Sequence, residues 1–126
     1  MTTFEERTGP ITRTQIVRFA GAGGDFNPMH HDEQFARAAG QPTVFAMGQL
    51  PAAIMAAAVG RWLGRETIAG YGVRFREKVW PGDQLVLRGR LVDGTDGCRS
   101  CELEARRVSD DTVVMTGWVR AGGPSG

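Results

Sequence analysis

The residues best suited to chemistry lie together in the run Gly24–Asp32, which reads Gly-Asp-Phe-Asn-Pro-Met-His-His-Asp. Asp25 and His30 stand five positions apart within it, and the run also holds both histidines of the chain. A carboxylate and an imidazole at one place can act as a general acid/base pair, in which one group accepts a proton near neutral pH while the other donates one. Because the run contains Gly and Pro, we expect a loop to present both side chains.

The size and charge of the chain limit the classes of protein it can belong to. Its 126 residues are enough for one domain with its own core. The formal net charge of +1 provides no field that would attract nucleic acid or an anionic membrane. No apolar run approaches the ~20 residues that cross a bilayer, and Met1–Glu6 has no basic segment leading into an apolar one. We therefore expect a cytoplasmic protein without a nucleic-acid or membrane partner.

Cys98 and Cys101 have a spacing found in redox and zinc sites. They fall in an alternating segment typical of a strand, where residues three apart point to opposite faces. The sequence has no second pair that would complete a tetrahedral zinc site. We interpret both as ordinary strand cysteines and predict no metal site.

The amino-terminal third predicts short elements around the loop. A strand is expected over Thr3–Thr8, and Thr12 is expected to cap a helix that the glycine-rich run Gly21–Gly24 stops. Asp32 is expected to cap a second helix, Glu33–Ala39.

A longer helix is predicted over Gly48–Leu63, with Pro51 in its first turn. Its stretch Ala52–Val59 carries no charge, which predicts burial on nearly every side. From Glu66 onward the apolar period becomes two, and turn signals at 81–83, 93–97 and 109–111 separate four strands of an antiparallel meander.

A sheet with one hydrophobic face needs a cover, and the long helix is the available one. The sequence therefore predicts an α+β fold, a single hotdog domain in which an antiparallel sheet wraps around a central helix. The domain is expected to occupy residues 1–121, followed by a disordered tail over residues 122–126.

The motifs resemble the MaoC-like dehydratases, the group of (R)-specific enoyl-CoA hydratases. Gly24–Asp32 resembles their hydratase motif. Ala46–Leu50 (Ala-Met-Gly-Gln-Leu) stands where the family usually has Val-His-Gly-Met-Leu, and Val73–Asp83 resembles its Arg-Phe strand followed by Pro-Gly-Asp. The similarity covers roughly residues 8–120.

The resemblance implies a hotdog homodimer that reversibly adds water across the α,β double bond of a thioester of CoA or acyl carrier protein, without a cofactor. By position, Asp25 and His30 match the catalytic pair. Gly48 matches the glycine whose backbone N–H binds the thioester carbonyl, and Asn27 matches a residue that supports the loop. A helix start offers such an unpaired N–H and the positive end of the dipole. Which member of the pair is the base stays open.

Two positions depart from the family pattern. Met47 replaces the usual His before the glycine, and Gln49 replaces the usual Met after it. The N–H of Gly48 does not depend on either side chain. We therefore assign Met47 and Gln49 to the substrate pocket, where they would alter polarity and substrate choice.

Other interpretations remain open. Asp25 with Asn27 is also a common turn-capping combination, and the cations Arg74, Arg76 and Lys78 either form a solvated face or contact the phosphates of a carrier. A specialised or silent hotdog subunit in polyketide, steroid or other secondary metabolism, paired with another hotdog chain, is a second function. A thioesterase is less favoured because Gly48–Gly60 contains no acid. Acyl group, carrier and direction are not fixed by the sequence.

Overall fold

The computed structural model describes residues 2–94 and 97–122. In these ranges the elements follow one another as β1 Thr3–Arg7, α1 Arg13–Gly23, α2 Glu33–Ala38, α3 Gln49–Leu63, β2 Ile68–Phe75, β3 Leu85–Asp93, β4 Cys98–Arg107 and β5 Val113–Gly122. Single 3-10 turns lie at Pro28–His30 and Arg65–Thr67. Gly122, which we assigned to the tail, is the last residue of β5, and residues 123–126 lie outside the described part of the chain.

The five strands form one antiparallel sheet in the order β1-β3-β4-β5-β2. The predicted meander of four strands is therefore wrong at its first step, since only β3, β4 and β5 are joined as neighbours. β2 pairs with β5, and β1 occupies the edge of β3 that β2 was expected to take. The alternating pattern defines which face of a strand is buried but not which strand lies beside it.

Residues 76–84, which we name the crossover segment, connect β2 to β3 across the end of the sheet. The predicted turn at Pro81–Asp83 does form within it: Gly82 has φ +91°, and the amide of Trp80 donates to Asp83 Oδ2 at 2.8 Å. The turn leads directly into β3, but it does not close a hairpin, because β2 and β3 are not neighbours in the sheet.

The core lies between α3 and one face of the sheet. Met55, Ala58 and Val59 of α3 are fully buried with Leu85 and Leu87 of β3. The burial predicted for nearly every side of α3 is wrong, because Ala53 and Ala57 are exposed on this chain. A helix that covers one face of a single sheet leaves its opposite side open.

The helix caps follow the predictions. Thr12 and Gln15 form a capping box at the start of α1, and the Asp32 carboxylate accepts from the amide of Phe35 at the start of α2. α1 runs through most of the glycine run and ends only at Gly24, whose φ of +72° is left-handed. Cys98 is exposed and Cys101 is buried, as expected for residues three apart on β4.

The outer face of the sheet carries charges in rows. Arg88 pairs with Glu5 at 2.8 Å, and Arg90 pairs with Glu102 at 2.6 Å across adjacent strands. These residues border a groove of about 1120 Å³ that also includes Trp118. The face opposite α3 is thus polar, which accounts for the alternation that the sequence shows.

Candidate active site

The loop after α1 is shaped by hydrogen bonds between residues close in sequence. The left-handed Gly24 ends α1 and turns the chain outward. Asn27 Oδ1 accepts from the amide of Met29 at 3.0 Å and caps the 3-10 turn Pro28–His30. The segment is therefore not a plain loop, as predicted, but a loop closed by one helical turn. That turn brings His30 back toward Asp25.

Asp25 and His30 meet in this loop. His30 Nε2 lies 3.5 Å from Asp25 Oδ2, with the His30 side chain 8% exposed and the Asp25 side chain 43% exposed. The other carboxylate oxygen of Asp25 accepts from the amide of Asn27 at 3.3 Å. One member of the pair is thus buried while the other is open to solvent, and both are held by the same short segment.

The backbone carbonyl of Phe45 orients the His30 ring. His30 Nδ1 lies 2.7 Å from this oxygen, which can only accept, so Nδ1 carries a proton and donates it. In the neutral ring, Nε2 is then free of a proton and faces a carboxylate that accepts as well when it is ionised. The two atoms are placed to hold or exchange a single proton, which is what an acid/base pair requires.

A second network fixes residues 39–48, the connector between α2 and α3, which carries Phe45. The Glu33 carboxylate accepts from the Thr43 hydroxyl, from the amide of Val44 at 3.1 Å and from the Arg13 guanidinium at 2.8 Å. The bond from Thr43, followed by the one from Arg13, lowers the pKa of Glu33 below its usual value. An ionised Glu33 thereby ties α1 and α2 to the residue just before Phe45.

Gly48 is the N-cap of α3, with φ −56° and ψ −29°. Its amide has no acceptor within residues 2–94 and 97–122, so it is free to bind a ligand oxygen at the positive end of the helix. A Cβ at this position would come within 2.8 Å of the Phe75 ring. A larger residue here would have to displace the Phe75 ring, so Gly48 permits this close approach, while its φ is an ordinary helical one.

A cavity of about 310 Å³ lies beside Gly48. Its walls are mostly apolar, with Phe45, Phe75 and Val79 among them, and three charged residues of the crossover segment border it. Neither Asp25 nor His30 lines this cavity. The structure joins the Asp25–His30 pair to the Gly48 region through Phe45, whose carbonyl contacts the pair and whose side chain lines the cavity.

The three other predicted site residues do not line this cavity. Met47 is 5% exposed and belongs to the core, and Gln49 is exposed at the first position of α3. Neither lines the Gly48 cavity. Asn27 shapes the loop, in the position where a supporting residue was expected.

Sequence reasoning missed three contributors. Phe45 acts through its backbone carbonyl, and because every residue has one, the residue type gives no sign of this contact. Phe75 covers Gly48, and the Tyr71 hydroxyl donates to the Ala52 carbonyl in the first turns of α3 at 2.8 Å. Burial raises the pKa of Tyr71 to about 12, so this hydroxyl keeps its proton at neutral pH. The alternating pattern of β2 placed both aromatics in a strand but gave no contact with α3.

Within the described ranges, no group of three or more His, Cys, Asp or Glu side chains is arranged to hold a metal ion. No described helix is long and apolar enough to cross a membrane.

Known proteins resemble this chain in sequence and in fold. Residues 2–113 match a protein family described as MaoC like domain. The enoyl-CoA hydratase ChsH3 of Mycobacterium tuberculosis is 32% identical over 97 residues, which make up 75% of this chain and 32% of that protein. The chain thus spans about a third of the length of this curated relative.

Solved structures match the architecture over nearly the whole chain. The unliganded (R)-hydratase PhaJ1 of Pseudomonas aeruginosa superposes with a TM-score of 0.86 at 22% identity, covering 97% of this chain and 79% of that one. The ChsH1–ChsH2 complex of Mycobacterium tuberculosis gives 0.83 at 23% identity, with 95% and 93% covered. At such identities the agreement concerns the fold, which is the hotdog fold predicted above.

Proposed function

Because the chain belongs to the MaoC-like domain family, we propose that it is a hydro-lyase acting on trans-2-enoyl and (R)-3-hydroxyacyl thioesters of CoA or acyl carrier protein. The observation that carries this proposal is the contact between Asp25 Oδ2 and His30 Nε2 at 3.5 Å, with the ring oriented by the Phe45 carbonyl. A pair of this kind, joined through Phe45 to the region of an unpaired helix-start amide, offers each group that hydration needs.

Hydration transfers two protons, one from water to a base and one from an acid to C2. One member of the Asp25–His30 pair removes a proton from water as a lone pair of the water oxygen forms the bond to C3 of the substrate. The C2–C3 π electrons shift toward the thioester, whose oxygen becomes an enolate, and C2 then takes a proton from the other member of the pair. Each such proton transfer contributes typically ~10²–10⁴-fold in rate. The Gly48 N–H would hold the enolate oxygen, and losing one donor of this type costs on the order of 10²–10³-fold.

We propose that the working form is a dimer with a second hotdog subunit. ChsH1–ChsH2 is by name a complex of two chains. In this chain, Asp25 and His30 do not line the Gly48 cavity, and Phe75, whose ring covers Gly48, is 49% exposed. A second subunit over this region would enclose the reacting atoms. A homodimer is the primary proposal and a heterodimer the alternative.

The other functions are supported less well. A thioesterase would place an acid on α3, and Gln49–Leu63 contains no Asp or Glu. A silent subunit has no need of an oriented acid/base pair, whereas here the Phe45 carbonyl accepts from His30 Nδ1 and the Asp25 carboxylate lies 3.5 Å from Nε2.

The test is a hydration assay on the purified chain after its mass in solution has been measured. With crotonyl-CoA we expect loss of the conjugated enoyl absorbance and formation of (R)-3-hydroxybutyryl-CoA, identified by chiral chromatography. A stable dimer that hydrates no straight-chain, branched or cyclic enoyl thioester would exclude the proposal.

A further inference from the structure

Two cations border the cavity beside Gly48. Arg76 and Lys78 both line it and both are exposed. Neither has a carboxylate partner in the described part of the chain. Glu77 stands between them in the same wall. The rim of this small, mostly apolar cavity therefore carries more positive than negative charge.

The backbone that presents these cations is fixed. The amides of Arg76 and Glu77 both donate to the Val114 carbonyl, at 2.9 and 3.3 Å. The Lys78 carbonyl accepts from Arg107 Nη1 at 3.0 Å. Arg107 is itself paired with Asp83 and Asp110, so its charge is balanced. The rim cations are thus held in place without being neutralised.

The two rim cations connect the cavity with its surroundings: Lys78 contacts Phe45, and Arg76 also lines the outer groove. Lys78 Nζ lies 5.4 Å from the centre of the Phe45 ring, and the Phe45 carbonyl orients His30. Arg76 lines both the Gly48 cavity and the large groove on the outer face of the sheet. A chain leaving the Gly48 cavity outward therefore passes Arg76.

We propose that Arg76 and Lys78 bind the 4′-phosphate of a phosphopantetheine arm, which selects thioesters on phosphorylated carriers. The inference rests on the proposed function. A thioester carbonyl held by Gly48 has its acyl chain on one side and its carrier arm on the other. The arm is uncharged until its phosphate, which suits apolar walls of Phe75 and Val79 followed by a cationic rim. An Arg guanidinium can donate two hydrogen bonds to two oxygens of one phosphate, and a Lys ammonium adds a compact positive charge that attracts the same group.

CoA and acyl carrier protein share this phosphate, so the test compares three crotonyl thioesters. Crotonyl-pantetheine has no phosphate, crotonyl-4′-phosphopantetheine has the shared one, and crotonyl-CoA has further phosphates on its nucleotide. We expect Arg76→Ala and Lys78→Ala each to raise KM for both phosphorylated substrates about fivefold. KM for crotonyl-pantetheine, and kcat for all three, should stay within twofold.

The matched control is Arg65→Ala. Arg65 is also exposed and unpaired within the described ranges, but it follows the far end of α3, roughly 20 Å along the helix from Gly48. It should change none of the three KM values. Glu77→Gln should have the opposite effect and lower KM for the phosphorylated substrates, because it removes the negative charge of the rim.

Three results would overturn the inference: equal increases in KM for crotonyl-pantetheine, no increase for either phosphorylated substrate, or an effect confined to crotonyl-CoA, which would place the contact on the nucleotide. If the wild-type chain hydrates none of the three, KM cannot be compared, and the proposed function is then judged by the branched and cyclic enoyl thioesters of the hydration assay above. Calorimetric titration with 4′-phosphopantetheine against pantetheine then decides the inference alone. A phosphate-dependent affinity that is lost in Arg76→Ala supports it, and equal binding of the two compounds rejects it.

Discussion

Two segments converge on the connector before α3, and they are built in opposite ways. The loop Asp25–His31 reaches it through His30 and the Phe45 carbonyl, and its own shape comes from bonds between residues two or three apart. The crossover segment reaches it through the amide of Ala46, which donates to the Val79 carbonyl at 2.8 Å. Its other anchors include Ile11, Val114, Arg107 and Val108, all distant in sequence.

The difference corresponds to two roles: the loop carries the reacting groups, and the crossover segment supplies walls and charges of the cavity. A locally bonded loop can bring two reacting groups together with few distant contacts, here the two bonds that Met29 and His30 make to the backbone of Phe45. A segment anchored by distant residues depends on the complete sheet, and in return it can bring cavity walls and charges from far along the chain. Changes in the loop should therefore affect turnover first, whereas changes in the crossover anchors should affect stability and substrate binding first.

The largest effect is expected from removing the chemistry of the loop. Asp25→Asn and His30→Ala should each lower kcat by ~10²-fold or more, because each removes a proton-transfer group. Steady-state kinetics on the best enoyl thioester measures the loss, and circular dichroism checks that both variants remain folded. Turnover within a few fold of wild type in either folded variant would contradict the assignment.

The next largest effect should come from the main crossover anchor. Arg107→Met removes the bonds to the Lys78 carbonyl, Asp83 and Asp110, and it leaves Asp83, whose side chain is only 14% exposed, without its cation. We expect a loss of about 2 kcal/mol in the free energy of unfolding, measured by urea titration.

Arg106→Met is the control for this change. Arg106 is the neighbouring residue and also pairs with two carboxylates, but it is 30% exposed and contacts no part of the crossover segment. Its loss should cost under about 1 kcal/mol. Equal losses for the two variants would mean that anchoring the crossover has no special weight.

A smaller effect should follow from weakening the shape of the loop while keeping its reacting groups. Asn27→Ala removes the side-chain acceptor of the Met29 amide and should cost about 1 kcal/mol, the usual value of a helix cap. We expect kcat to fall less than in the Asp25 and His30 variants, with recovery in Asn27→Ser, which restores an acceptor. A kcat loss as large as that of His30→Ala would show that Asn27 does more than shape the loop.

The smallest effect concerns the pH dependence of the contacts that Arg107 makes with the Lys78 carbonyl, Asp83 and Asp110, which we call the crossover clamp. Hydrogen bonds from Arg107 and then Thr112 hold the pKa of Asp110 at about 2, below the ~3.9 of an unfolded chain. The folded pKa is depressed, so this contribution to stability is present above about pH 4 and is lost as the pH falls toward 2. Urea midpoints measured over this range should fall less steeply in Asp110→Asn. Parallel curves for the two proteins would contradict the clamp.

Much of the site was accessible from sequence because its parts are local. A loop of Gly, Asp, Asn and Pro allows few conformations, so Asp25 and His30 could be expected to lie near each other before any fold was known. The caps at Thr12 and Asp32 and the start of α3 at Gly48 depend equally on a few consecutive residues. The alternating pattern after Glu66 likewise predicted strands and their buried faces.

The neighbours of those strands could not be predicted in the same way. A strand that alternates apolar and polar residues can pair with several partners at no loss of burial. Whether β2 lies beside β3 or beside β5 depends on the whole sheet, including the place of β1 on β3.

The sequence alone therefore determined the chemical groups, their spacing and the elements that carry them, since these depend on short-range sterics and local hydrogen bonds. Only the tertiary structure decided that the Phe45 carbonyl orients His30, that the Phe75 ring packs closely against Gly48, and that Arg76 and Lys78 stand at the rim of one cavity. These contacts join residues far apart in the chain. They arise from the packing of complete elements, which no local pattern of residue types encodes.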